Sequence, residues 1–249
     1  MNKTLTAAVM GASILLALPA AAADLAARTY TKAPALSPLT NWSGFYVGAH
    51  VGYAWGDQSD NLSLTAGLPA DHFDISGFQG GAHAGYNWQV GRTVFGFEGD
   101  FDGSNLKGGR AFDQGTGGSR VVGSLSFKSD WQASIRGRLG FAADNWLFYA
   151  TGGVAFAEVA SSLDLTRYRS CDGICILSQG ISGQSEVLVG YTVGVGAEYA
   201  ITTNWIARGE VRYSDFGAKT FAFSDGGSAI PSRVKFNQTN ASLGISYKF

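Results

Sequence analysis

Eleven charged side chains fall at alternate positions along this 249-residue chain: Glu98 and Asp100, Lys128 and Asp130, Arg136 and Arg138, Glu198, Arg208 with Glu210 and Arg212, and Lys248. A spacing of two places such groups on one face of an extended strand. A fold that turns these faces together collects five acids and six bases in one space. Two kinds of chemistry follow. If water is excluded, carboxylates and guanidinium groups must neutralise one another as a bonded network, because an unpaired buried charge is prohibitively costly. If water is admitted, the same groups line a polar path for ions or small solutes.

Nothing else in the sequence competes with that set as a site. No serine, histidine and acid arrangement for acyl transfer can be identified, and Gly115 Thr116 Gly117 Gly118 lacks the lysine and following helix of a phosphate loop. The chain is therefore not read as an enzyme, and no cofactor or metal is expected. His50 and His83 are placed on inward faces of adjacent strands and His72 in an outer connection. A single histidine can ligate haem, but no pocket surrounds these three in the sequence, so they are read as ordinary polar or lumen residues.

The elements that would carry the charges are eight alternating segments. Phe45, Val47, Ala49, Val51, Tyr53 and Trp55 share one face of the first, with Tyr46, Gly48, His50, Gly52 and Ala54 on the other. The second, about 78–90, and the third, 93 to about 101, join at Gly91 and Arg92. The fourth sets Phe127, Trp131, Ala133, Ile135, Leu139 and Phe141 against Lys128, Asp130, Gln132, Ser134, Arg136 and Arg138. The fifth, 146 to about 161, turns Trp146, Phe148, Ala150, Val154 and Phe156 outward, although Gly152 and Gly153 blur its register. The sixth opposes Val187, Val189, Tyr191, Val193 and Val195 to Thr192 and Glu198, and the seventh opposes Trp205, Ala207, Val211 and Tyr213 to Arg208, Glu210 and Arg212. The eighth begins near Phe236 and ends on Ala241, Leu243, Ile245, Tyr247 and Phe249 along one face.

Long connections are expected at 56–77, 102–125, 162–185 and 214–235, and short ones near Gly91, Asp144 and Thr203. Strict alternation of long and short joins eight antiparallel strands into an up-and-down ring. The pattern is that of an all-β, eight-stranded antiparallel transmembrane β-barrel, in which short turns face the periplasm and long loops the exterior. A chain that ends on an aromatic closing such a pattern fits a last strand that must pair with the first.

The other end of the chain agrees. Lys3, the apolar run from Leu5 to Leu18, and Ala21 Ala22 Ala23 before Asp24 make a secretory signal peptide over 1–23, too short in its apolar part to span a bilayer. Residues 24–41, with Pro34 and Pro38, read as a flexible periplasmic leader, and 42–249 as the barrel domain. Thirty-five glycines, 13% aromatics and five prolines describe neither a helical membrane protein nor a disordered chain. Loss of Lys3 with the signal peptide leaves the 19 acidic residues in slight excess, and such near neutrality gives no support to a nucleic-acid partner. Cys171 and Cys175, in the third long connection of an exported chain, are expected to form a loop disulfide, since no further thiolate or imidazole lies nearby to complete a metal site.

The segment Asn41 Trp42 Ser43 Gly44 Phe45 Tyr46 Val47 Gly48, followed by Gly52 and Tyr53, resembles the opening of small eight-stranded outer-membrane β-barrel proteins of alphaproteobacteria. This porin-like family includes major surface antigens and hemin-binding members. The resemblance continues through Tyr149 Ala150 Thr151 Gly152 Gly153, Gly194 Val195 Gly196 Ala197 Glu198 Tyr199 and the terminal Tyr247 Lys248 Phe249, and covers nearly all of the chain after residue 41. It implies an integral outer-membrane protein with a structural and surface-presenting role. The implied partners are outer-membrane lipid and lipopolysaccharide, together with the barrel-insertion machinery, which would read Phe249 as part of its signal. Homo-oligomer formation is left open, and no catalytic motif transfers. A small porin is the alternative function. A soluble lipocalin-like barrel fits less well, since it needs apolar residues inside.

Overall fold

The structure is a computed structural model that describes residues 40–62, 71–116, 119–171, 173–225 and 228–249. Eight strands run in chain order: β1 (Gly44–Leu62), β2 (Asp71–Val90), β3 (Thr93–Thr116), β4 (Ser119–Ala143), β5 (Trp146–Cys171), β6 (Gly173–Ala200), β7 (Trp205–Asp225) and β8 (Ser228–Lys248). Each pairs antiparallel with its neighbour, and β8 returns to β1 to close the barrel. The closing seam runs from Tyr46 opposite Lys248 to Trp55 opposite Thr239, and resumes from Ser59 opposite Lys235 to Leu62 opposite Ser232. Beyond it the Phe249 amide donates to the Phe45 carbonyl at 3.0 Å, and the two rings lie 5.7 Å apart. The terminal aromatic is thus held against the first strand, with no sheet edge left open in the span.

Short turns join the strands at one end. Gly91 (φ 62°) and Asp144 (φ 52°) adopt the left-handed conformation that tight hairpins require, and residues 201–204 make the third turn. At the opposite end the four long connections expected from the sequence are mostly strand. β3 and β4 stay paired to Thr116 opposite Ser119, and β5 and β6 to Cys171 opposite Gly173. These segments escape a reading by alternation because their inward positions change from charged to apolar. Leu106, Phe112, Leu125 and Phe127 point inward there, among glycines and serines of low strand propensity.

Outward faces form a membrane belt. Val51, Ile135, Val193, Val195 and Leu243 are exposed aliphatics. Aromatics flank them on both sides: Phe45, Phe95, Phe141, Trp146 and Trp205 toward the short turns, Tyr53, Trp55, Phe78, Phe101 and Tyr191 toward the ribbons. Exposed apolar surface on this scale has no place in water but matches hydrocarbon between interfacial girdles. The span from Phe45 to Trp55 in β1, or Trp131 to Phe141 in β4, is what ~9–11 tilted residues supply.

Four irregularities in strand pairing sit above the belt: Gly103–Leu106 in β3, Lys128–Gln132 in β4, Arg167–Tyr168 in the β5–β6 pairing and Asp215–Ala218 in β7. The second reverses part of the expected face assignment. Asp130 and Trp131 both lie on the outer side, so the phase of β4 slips by one residue. Phe127, expected outward, is buried inside, while Lys128 and Asp130, expected inward, are half exposed outside.

Candidate functional site: the charged lumen

The barrel interior is layered along its axis. At the short-turn end, Trp42 sits with Val94, Ala142, Leu147, Tyr149, Ala200 and Ile206 in an apolar cluster. Three contacts fix the segment that carries Trp42 across this mouth. The Trp42 amide donates to Gln89 Oε1 at 2.7 Å, Thr40 Oγ1 donates to Asn145 Oδ1 at 2.8 Å, and the Lys248 ammonium donates to the Asn41 carbonyl. At the far end, Phe73, Ile75, Leu106, Leu125, Phe127, Leu163, Val234 and Phe236 belong to a second apolar cluster within the ribbons. The charged residues lie between the two.

Four strands supply the charges, each by alternation: Glu98, Asp100 and Asp102 from β3, Arg136 and Arg138 from β4, Glu198 from β6, and Arg208, Glu210 and Arg212 from β7. β3 and β7 stand opposite each other in an eight-membered ring, so contacts between them cross the lumen. Arg208 reaches Glu98 at 2.8 Å (Nη1 to Oε2) and Arg212 reaches Asp100 at 2.9 Å and Asp102 at 3.1 Å. Arg136 gathers three carboxylates, Glu98 at 2.6 Å, Asp100 at 2.9 Å and Glu210 at 2.5 Å. Arg138 approaches Glu198 at 2.9 Å, donates to Tyr46 Oη at 2.8 Å, and lies 4.2 Å from the centre of the Tyr149 ring.

Two tyrosines complete the set. Tyr46 Oη donates to Glu98 Oε2 at 2.8 Å, and Tyr149 Oη donates to Glu210 Oε2 at 2.9 Å. The side chain of Glu98 is fully buried and that of Arg138 nearly so. With five carboxylates against four guanidinium groups in mutual contact, each charge has a partner that offsets its lost hydration. An eight-stranded barrel is only just wide enough to be filled in this way.

The sequence-expected residues divide accordingly. Glu98, Asp100, Arg136, Arg138, Glu198, Arg208, Glu210 and Arg212 meet in one cluster. Lys128 and Asp130 do not join it: they pair with each other on the outer surface at 2.7 Å, because the irregularity between Lys128 and Gln132 shifts the face. Lys248 stays at the rim. Asp102, assigned from sequence to a loop, is in the cluster, and its signal was the unbroken period of two from Glu98 through Asp100. Tyr46 and Tyr149 were not singled out as functional, although Tyr46 lies on the inward face of β1 that alternation defines.

His50 and His83 also meet inside. Their Nδ1 atoms are 3.1 Å apart, His50 Nε2 lies 2.6 Å from Asp102 Oδ1, and His83 Nε2 lies 2.8 Å from Ser246 Oγ. The side chains of His72, Cys171 and Cys175 lie outside the described residues. On the outer ribbon Arg120 pairs with Asp113 and holds its carboxyl below the usual carboxylate range, an exposed pair of the kind that contributes little to stability.

Comparison with known proteins agrees with this architecture. The family described as "Outer membrane protein beta-barrel domain" matches residues 9–249. The chain is similar to the 31 kDa outer-membrane immunogenic protein of Brucella melitensis, 34% identical across 94% of this chain and 95% of that protein. It is also similar to the 22 kDa outer membrane protein of Rhizobium leguminosarum bv. viciae, 30% identical across 86% and 81% of the two. Among solved structures, the outer membrane protein OprG from Pseudomonas aeruginosa aligns with 85% of this chain and 99% of its own at 11% identity, with a TM-score of 0.49. The chain therefore belongs to the outer-membrane β-barrel family and is a protein of the outer membrane.

Proposed function

We propose that this protein is a closed structural barrel whose role is to anchor and present its four β-ribbons at the cell surface. The observation that carries the reading is the filled interior. A salt-bridged band bonded across the lumen lies between two apolar clusters, one of them stoppered by Trp42. A diffusion pore needs a continuous wet path, and water would have to displace both clusters to make one. The description of the Brucella relative as immunogenic supports exposure of the ribbons.

An epitope inserted between Thr116 and Ser119, at the tip of the β3–β4 ribbon, tests presentation. We expect antibody to label intact cells. Labelling that appears only after the outer membrane is permeabilised would contradict the reading.

Outer-membrane lipid and lipopolysaccharide are the expected surroundings of the belt, and the barrel-insertion machinery is the expected partner in biogenesis. Deleting Phe249 removes both its amide bond to Phe45 and its ring contacts with Phe45 and Tyr247. The shortened chain should cross the inner membrane normally but insert slowly or not at all, measured as the amount of folded protein in outer-membrane fractions. Normal insertion would show that the ending is incidental.

A further inference from the structure

The two lumen histidines form a continuous line of contacts that the charged network does not require: Asp102 to His50 at 2.6 Å, His50 to His83 at 3.1 Å, His83 to Ser246 at 2.8 Å. The line joins β3, β1, β2 and β8 and therefore crosses the closing seam. Its geometry is built into the backbone. A Cβ at Gly48 would meet the Ile245 carbonyl as well as His83 Nε2, and one at Gly81 the Phe101 carbonyl as well as Asp102 Oδ1. Glycine at both positions leaves room for the close approach of the neighbouring strands and, with it, for this arrangement.

Four ring nitrogens share these contacts, and the contacts limit how many protons they can hold. The Nδ1 to Nδ1 contact takes one proton, donated by one ring and accepted by the other. With two ring protons, Ser246 O–H donates to His83 Nε2, His83 Nδ1–H donates to His50 Nδ1, and His50 keeps its proton on Nε2, 2.6 Å from Asp102 Oδ1. With three, His50 carries both of its protons, compensated by Asp102, and His83 turns its remaining proton to Ser246. A fourth proton would place two N–H groups head to head across 3.1 Å.

We propose that this pair is a proton-controlled clasp on the seam, intact while it holds two or three ring protons and broken by the fourth. The groups facing it from the packed elements favour that limit. Arg208 on β7 adds positive charge beside His83, opposed by Glu98 on β3 and Glu210 on β7. Tyr46 on β1 stands with its ring 6.2 Å from that of His83, Asp102 is shared with Arg212 at 3.1 Å, and the Lys248 ammonium on β8 is turned away to Asn41. The fold thereby carries an acid-sensitive point at the place where its first and last strands meet.

Linkage gives the test. The unfolded chain takes up two protons at these residues as pH falls through ~6.5, and the folded clasp has room for at most one, so folding loses stability on the acid side. For full-length protein folded in phosphatidylcholine vesicles, we expect the unfolding equilibrium constant to rise about tenfold per pH unit between about pH 6.5 and 5. His83→Gln should flatten that slope, since the head-to-head limit between two imidazoles is then gone from the folded state; His72 is common to both chains and cancels. Parallel slopes in the two proteins, or no slope in the wild type, would overturn the proposal. If the variant does not fold, ring 15N spectra of the wild type at pH 5 decide instead. One doubly and one singly protonated ring supports the clasp, and two doubly protonated rings in a folded barrel overturn it.

Discussion

Replacing Arg136 with alanine should destabilise the barrel by about 3–5 kcal/mol, the cost of removing one partner from a buried, bonded set of charges. Arg136 is the side chain on which Glu98, Asp100 and Glu210 converge, at 2.6, 2.9 and 2.5 Å. Its loss leaves three carboxylates with less positive charge than they need, in a space where water cannot replace it. The measurement is urea unfolding of protein folded into vesicles. Adding Glu210→Gln to Arg136→Ala should recover part of the loss, because the second change removes one of the orphaned charges. In a wet channel the single change would leave stability nearly level and alter ion selectivity instead, since water would solvate the carboxylates. Unchanged stability in Arg136→Ala would therefore argue against a closed lumen.

Ile135→Arg should have the next largest effect, about 2–4 kcal/mol against folding into a bilayer, the cost of a lipid-facing arginine near the midplane. Ile135 is adjacent in sequence to Arg136 yet points the opposite way, 67% exposed between the girdle residues Trp131 and Phe141. The comparison position is Ser119, exposed at the tip of the β3–β4 ribbon, where arginine should be tolerated. Folding yield into vesicles separates the two. Equal tolerance at both sites would remove the basis for the belt.

These neighbouring residues with opposite fates show what the sequence makes legible. Where one face meets lipid and the other meets polar or charged groups, as in Trp131–Phe141 and Ala241–Phe249, every second residue changes character and the strand declares both its existence and its orientation. The eight antiparallel strands and the outer-membrane location were legible for that reason. Above the belt both faces change chemistry. Leu106, Leu125 and Phe127 turn inward while Lys107 and Lys128 turn outward, so the apolar face is no longer the lipid face. The ribbons consequently read as loops.

The charged set was legible only as far as strand phase held. Glu98 and Asp100 on β3, Arg136 and Arg138 on β4, and Arg208 to Arg212 on β7 lie within uninterrupted alternation. Lys128 and Asp130 lie across an irregularity, which has no mark in the residue types and exchanges the two faces. The histidine line was hidden for a different cause. Gly81 lies opposite His50 in the β1–β2 register and Gly48 opposite His83, so the imidazoles meet on a diagonal across positions without side chains. That depends on register between strands, which alternation within each strand does not specify.

The central claim is that charge fills the lumen and closes it, and single-channel recording of the purified, refolded wild-type protein in a planar bilayer tests it most directly. The account predicts insertion without steady unitary current. Steady currents whose selectivity shifts toward cations in Arg138→Ala would contradict it, because only a water-filled path could carry ions past Glu98 and Glu198 and register the loss of that one positive charge.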